Sequence, residues 1–105
     1  TATRSNDSAE DRALCEVLGA GTPCSSIKGW IGHTLGAAGI MNLLIGAICL
    51  EEGLMPPSLN TRCIDPAFGS RVLLQEERRA LQTVLCNAFG FGGSNASLLL
   101  GRTAA

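Results

Sequence analysis

The stretch Lys28-Gly-Trp-Ile-Gly-His33-Thr-Leu-Gly-Ala-Ala-Gly39-Ile-Met-Asn42-Leu-Leu-Ile-Gly46-Ala-Ile-Cys49-Leu-Glu-Glu52 decides how this chain is read. Its first six residues form a loop with glycines on both sides of Trp30-Ile31. Thr34 has the side chain of an N-cap, and Leu35 to about Glu52 then reads as one helix. That helix is apolar nearly all round, which marks a central element rather than a surface one. Its apolar run, Leu35–Leu50, is shorter than the roughly 20 residues a membrane-spanning helix needs. Gly36, Gly39, Asn42 and Gly46 interrupt it, and His33 sits inside the Gly32-xxx-Gly36 spacing that mimics a membrane dimer motif. The stretch is therefore read as a buried helix of a soluble protein. Gly36, Ala37, Ala38 and Gly39 predict close approach of other backbone to its first turn.

Upstream, Asn6-Asp7-Ser8 offers helix caps, with Glu10 and Asp11 in the first turn. Ala9, Ala13, Leu14, Val17 and Leu18 recur at helical spacing, and Gly19 and Gly21 end that helix. Cys24–Ile27 follows Pro23 and reads as a short strand. Downstream, Pro56-Pro57 stops the central helix from continuing. Ser58–Ser70 reads as irregular surface structure, Arg71–Leu74 as a short strand, and Glu76-Glu77-Arg78-Arg79 as a solvated turn. Thr83–Phe89 and Asn95–Leu100 form two strand-like runs joined by Gly90-Phe91-Gly92-Gly93-Ser94, so an antiparallel pair is expected. The order is α, β, α, then β-rich, an α/β arrangement without internal repeat.

Composition bounds the function. The chain has 105 residues, 46% of them hydrophobic and 16% charged, with a formal charge of -1. That is one domain at most. No basic patch or stripe points to nucleic acid, and the apolar content argues against disorder. Cys15, Cys24, Cys49, Cys63 and Cys86 show no zinc-type spacing, so no metal is expected. They read as reduced thiols in a cytoplasmic protein. Glycine, with 13 residues, stands at nearly twice its usual share of about 7%.

Two constellations could carry chemistry. His33 is the only histidine, and a lone histidine serves structure as readily as catalysis. Its place before an apolar helix favours a neutral imidazole that can donate a hydrogen bond to a developing oxyanion. Gly90-Phe91-Gly92-Gly93 is neither a dinucleotide fingerprint nor a P-loop. It is either a strand connection needing positive φ, or a loop that aims a backbone N–H at a substrate carbonyl. Lys28 is either a solvated lysine or a charge held near His33. Asp7, Glu10 and Asp11 read as capping carboxylates. Asn87 and Asn95 bracket the glycine loop and are expected to tie down its backbone. No cysteine has the local context of a nucleophile.

Lys28-Gly-Trp-Ile-Gly-His33-Thr-Leu-Gly-Ala-Ala-Gly39 resembles the KxxxGHxxGAAG signature of the β-ketoacyl-acyl carrier protein synthases. Asn87-Ala-Phe-Gly-Phe-Gly-Gly-Ser-Asn95-Ala resembles their NSFGFGGTNA signature, and Thr1-Ala-Thr-Arg-Ser-Asn6-Asp7-Ser-Ala-Glu10 the end of HGTxTxxxDxxE. The resemblance covers nearly the whole chain but only the last quarter of such an enzyme. It implies the C-terminal part, α-β-α-β-β, of a thiolase-like layered α/β/α/β/α fold with a mixed sheet whose central strands lie elsewhere. Residues 1–105 would then be a partial C-terminal synthase domain that exposes sheet edges and apolar helix faces.

The implied reaction is a decarboxylating Claisen condensation of acyl and malonyl thioesters in fatty acid or polyketide-like biosynthesis. By this resemblance His33 would hydrogen-bond the malonyl thioester carbonyl, and Lys28 would belong to the site's polar network. Phe91 would be the gate, with its N–H in the acyl oxyanion hole. Gly90, Gly92 and Gly93 would let that loop move, and Thr1 and Thr3 would bind the phosphopantetheine arm. No cofactor is implied beyond that arm, which arrives on the acyl carrier protein. The implied partners are the carrier protein, the remainder of the synthase and a second copy in a homodimer, with no nucleic acid and no membrane. The family's first histidine would lie two residues before Thr1, and its nucleophilic cysteine in the N-terminal half. The chain alone is thus expected to be inactive. Asn42 stands where most relatives carry a glutamate, which would leave Lys28 without that carboxylate. The alternatives are a non-catalytic, chain-length-factor-like subunit or an isolated structural fragment.

Overall fold

A computed structural model describes residues 3–90 and 92–103. Thr1 and Phe91 therefore lie outside the described residues. The chain divides into two units, Thr1–His33 with Pro56–Glu76, and Thr34–Met55 with Glu77–Ala105.

The first unit opens on α1, Arg4–Leu18. Thr3 occupies the N-cap position, and the Asp7 N–H donates to its carbonyl at 3.0 Å. The helix thus begins before the Asn6-Asp7-Ser8 run read as its cap, and Asp7 lies within its first turn. The expected stop holds: the N–H of Gly19, at φ 81°, donates to the Cys15 carbonyl at 3.1 Å. The expected strand at Cys24–Ile27 shrinks to β1, Pro23–Cys24. β1 pairs in parallel with β3, Arg71–Val72, with Pro23 opposite Arg71 and Cys24 opposite Val72. The ladder runs on as the Leu73 N–H donates to the Cys24 carbonyl at 2.9 Å. Leu73, at 5% exposure, is the most buried apolar side chain among the described residues. Between β1 and the end of the unit's first segment lies α2, Lys28–Ile31. A helical turn therefore occupies part of the segment read as a loop, because the Trp30 and Ile31 N–H groups both find the Ile27 carbonyl, at 3.1 and 3.3 Å.

The second unit is built on α3, Ala38–Glu52, entered through a 3-10 turn at Leu35–Ala37. Thr34 makes no side-chain cap hydrogen bond, so the α-helix starts later than the sequence suggests. Leu54–Met55 forms β2, which pairs antiparallel with β4, Glu77–Arg78. Two residues of the charge run are thus strand rather than turn, with Glu77 half-buried. The expected hairpin is present: β5, Thr83–Gly90, pairs antiparallel with β6, Ser94–Gly101, in register from Thr83 opposite Gly101 to Gly90 opposite Ser94.

α3 packs one face on this hairpin. Gly46, Cys49 and Leu50 are its buried residues, and burying a leucine such as Leu50 contributes roughly 1.5–3 kcal/mol. Close approach occurs at Gly46, where an added Cβ would lie 3.2 Å from the Cys86 Sγ and 3.2 Å from the Val84 Cγ1. At Gly36 and Gly39, where the sequence predicts it, nothing among the described residues beyond the chain neighbours and the helix's own backbone comes within 4 Å of such a Cβ. The opposite face of α3 carries Ile40, Leu44 and Ile48 at the i, i+4, i+8 spacing of one stripe, and each is at least half exposed. Leu35–Glu52 is 18 residues long and apolar enough to pass the length and hydropathy test for a membrane span, a test that the core helix of a soluble protein passes too. In this chain the helix is buried on the face of Gly46, Cys49 and Leu50 and open on the face of Ile40, Leu44 and Ile48. Sheet pairing is limited to these three two-stranded ladders among the described residues.

Candidate active site

The segment that carries Lys28 and His33 is held by a strap from the same unit, Ser58–Asn60. Ser58 is buried, and its Oγ accepts the Ser26 N–H at 3.1 Å while its own N–H donates to the Leu73 carbonyl at 2.7 Å. The Leu59 N–H donates to the Ser26 carbonyl at 3.3 Å. Ser26 passes the hold onward, since its Oγ accepts the Lys28 N–H at 3.2 Å and satisfies one open donor at the start of α2. At the other end of the turn, the Asn60 Nδ2 donates to the Gly29 carbonyl at 2.7 Å. Asn60 has φ 61°, a left-handed conformation that asparagine tolerates better than most side chains. Glycine at position 29 lets the strap come this close: a Cβ would crowd the Leu59 carbonyl oxygen, and the backbone there would have to shift.

α2 ends on Gly32, at φ 77°, whose N–H donates to the Lys28 carbonyl at 2.9 Å. His33 follows directly and is exposed. It does not sit in the first turn of an α-helix, because Leu35–Ala37 is a 3-10 turn and α3 begins only at Ala38. Trp30, three residues before His33, is 70% exposed.

Glu10 changes the account of Lys28. Burial pushes the Glu10 carboxyl above its ordinary range, and the positive charge of Lys28 is among the influences that draw it back. The charge of Lys28 is thus felt by a carboxylate of α1, and position 42 carries no glutamate. Glu10 is not a simple capping carboxylate. Nor is Asp11: it accepts the N–H groups of Gly69 at 3.1 Å and Ser70 at 2.8 Å, together with the Ser70 hydroxyl. These bonds hold its carboxyl below the ordinary range and fasten the segment before β3 to α1. A cleft of about 440 Å³ beside Asp11, Arg12, Cys15 and Phe68 contains neither Lys28 nor His33.

In the second unit, Gly90 ends β5 and Gly92 and Gly93 take φ of 84° and 85° in the connection to β6. The Asn87 side chain does not tie that connection down. Its Oδ1 accepts the Ser97 hydroxyl at 2.7 Å from the residue opposite it on β6. The Cys86 thiol donates to the Asn42 carbonyl at 3.5 Å. Burial raises the Cys24, Cys49 and Cys86 thiols above their ordinary values, which keeps them protonated and poorly nucleophilic. Among the described residues no group of His, Cys, Asp and Glu side chains could hold a metal ion.

Of the residues singled out from the sequence, Lys28, His33 and Thr3 belong to the first unit, and Gly90, Gly92 and Gly93 to the second. Thr3 serves as the N-cap residue of α1. Ser58 and Asn60 were missed. Their signal was Pro56-Pro57-Ser58-Leu59-Asn60, in which an asparagine suited to left-handed backbone follows two prolines, but nothing in it names the carbonyl to be bound.

A one-turn helix carries a lysine and leads through Gly32 to an exposed histidine, with an apolar helix and a glycine-turned hairpin downstream. Residues 1–62 match the family described as beta-ketoacyl synthase, C-terminal domain, and the chain belongs to it. The chain is similar to 3-oxoacyl-[acyl-carrier-protein] synthase 1 of Escherichia coli K12, with 39% identity over 102 residues, covering 95% of this chain and 25% of that protein. It is also similar to the solved structure of a beta-ketoacyl synthase from Burkholderia phymatum STM815, at a TM-score of 0.92 and 32% identity, covering 97% of this chain and 26% of that one. The ishigamide ketosynthase/chain length factor matches at a TM-score of 0.92 and 31% identity, over 99% of this chain and 26% of its own. The fold is thus that of the C-terminal part of a thiolase-like ketosynthase, and the chain spans about a quarter of the length of these relatives.

Proposed function

We propose that this chain works as the C-terminal part of a β-ketoacyl-acyl carrier protein synthase, an acyltransferase that condenses acyl and malonyl thioesters. In this reading the acyl group waits as a thioester on a cysteine supplied by the rest of the enzyme. The malonyl thioester, carried on phosphopantetheine, loses CO2. The electron pair of the broken C–C bond remains as an enolate. Its carbon attacks the acyl thioester carbon and expels the cysteine thiolate, leaving a 3-oxoacyl thioester on the carrier protein.

His33 supplies the hydrogen bond that stabilises the enolate oxygen, a type of interaction worth about 3–4 kcal/mol where single oxyanion donors have been removed. Lys28, with Glu10, forms the polar network beside it. Phe91 gates the acyl site with Gly90, Gly92 and Gly93 as its hinge, and Thr1 and Thr3 hold the phosphopantetheine arm. The partners are the acyl carrier protein, the remainder of the synthase and a second copy of the enzyme, in the cytoplasm. By itself the chain is inactive. The exposed stripe of Ile40, Leu44 and Ile48 is the face that the remainder of the synthase covers.

The observation that carries this reading is the strapped turn Lys28–Ile31, which ends at Gly32 and leaves His33 exposed. The test is His33→Ala in the intact parent polypeptide, with CO2 release from the malonyl thioester and acyl loading measured separately. CO2 release is expected to fall by 100-fold or more, the scale of one lost oxyanion donor, while loading survives. Equal loss in both half-reactions rejects the role given to His33.

A further inference from the structure

A helix that ran on past Ile31 would engage the Gly29 carbonyl with the N–H four residues later, which is that of His33. That carbonyl instead receives the Asn60 side-chain amide at 2.7 Å. The helix stops one residue short of the histidine, at Gly32. Asn60 lies 31 residues away from Gly29 in sequence. It keeps a left-handed φ of 61° that brings its side chain to this one acceptor. The neighbouring Leu59 backbone closes the space over Gly29, so the turn has no alternative seat on that side.

We propose that Asn60 is a positioning residue for condensation: by capping the Gly29 carbonyl it ends the Lys28–Ile31 turn and so determines where His33 is presented. This rests on the function proposed above and adds a residue to it. Asn60 touches no substrate and acts only through the turn. Losing the cap lets the Gly29 carbonyl compete for the His33 N–H, winding the turn forward and drawing the imidazole away from its working position.

Two variants of the intact polypeptide test this. Asn60→Gly removes the amide yet suits φ 61°. Asn60→Asp keeps the shape but sets a carboxylate oxygen against the carbonyl in place of a donor. For each, CO2 release from the malonyl thioester, acyl loading and the melting temperature are measured. Both variants are expected to lose about tenfold in CO2 release, equivalent to about 1.4 kcal/mol, with loading held and the melting temperature lowered by no more than the few degrees that one lost hydrogen bond accounts for. Unchanged CO2 release overturns the proposal. So does a parallel fall of CO2 release, loading and melting temperature, which is the mark of a merely structural residue. His33→Ala is run alongside: if it spares CO2 release, the proposed function itself fails, whatever the Asn60 variants do.

Discussion

Gly29→Ala tests whether the Ser58–Asn60 strap is as tight as its geometry says. The new Cβ would lie 2.0 Å from the Leu59 carbonyl oxygen and 2.9 Å from its carbon. Real Cβ atoms essentially never come closer than 3.0 Å, so the strap must retreat by at least 1 Å. That retreat stretches the 2.7 Å bond from Asn60 beyond hydrogen-bonding range and breaks the already long 3.3 Å bond from Leu59 to Ser26. Each bond lost costs about 1 kcal/mol net. The strain of forcing a methyl into a filled site adds about 1–3 kcal/mol. Against this, alanine gains about 1 kcal/mol over glycine inside a helix. The balance is a loss of about 2–4 kcal/mol, or roughly 4–16 °C in melting temperature for a domain of 150–250 residues. Gly21→Ala is the control, because nothing lies within 4 Å of a Cβ there and its φ is not left-handed. It is expected to stay within about 0.5 kcal/mol of the parent. If the two variants melt together in thermal unfolding of the intact polypeptide, the strap is looser than the structure says and the reasoning built on it falls.

Two further outcomes follow from the charges and thiols. Because Asp11 is held below its ordinary range by Ser70 and Gly69, its contribution to stability is present above the unfolded carboxylate pKa of about 3.9 and disappears as pH falls through the lower folded value. Asp11→Ala should therefore melt below the parent at neutral pH, and the gap should close on acidification. A gap independent of pH would exclude a charged latch. Among the five cysteines, exposed Cys63 should label first with a thiol reagent near neutral pH, and Cys49, buried with its pKa raised, should label late. Peptide mass spectrometry reads the order, and early labelling of Cys49 would contradict the packing of α3 on the hairpin.

Much of this was legible along the chain. The helical spacing of Leu14, Val17 and Leu18, the apolar run from Leu35, and the glycine-joined strands around Gly92 and Gly93 are local patterns, and each produced the element it predicts. The signatures around His33 and Asn87 are likewise contiguous, so the family was readable before any contact was known. Corrections gathered where local reading competes with distant partners. Glu77 and Arg78 looked like a solvated turn because their partners, Met55 and Leu54, lie more than twenty residues upstream. Asn87 looked like a loop anchor because Ser97 is its neighbour only once the strands pair.

The sequence by itself thus determined the α/β class, the two long helices, the hairpin and the family, because periodicity, glycine placement and contiguous motifs are properties of neighbouring residues. Only the tertiary structure decided what positions the chemistry. Asn60 meets Gly29 across 31 residues, Ser58 meets Ser26 across 32, and Asp11 meets Ser70 across 59. A hydrogen bond demands its partner within about 3 Å in space and is indifferent to separation along the chain. No window of sequence shows that Asn60 closes the turn before His33, and folding alone brings the two together.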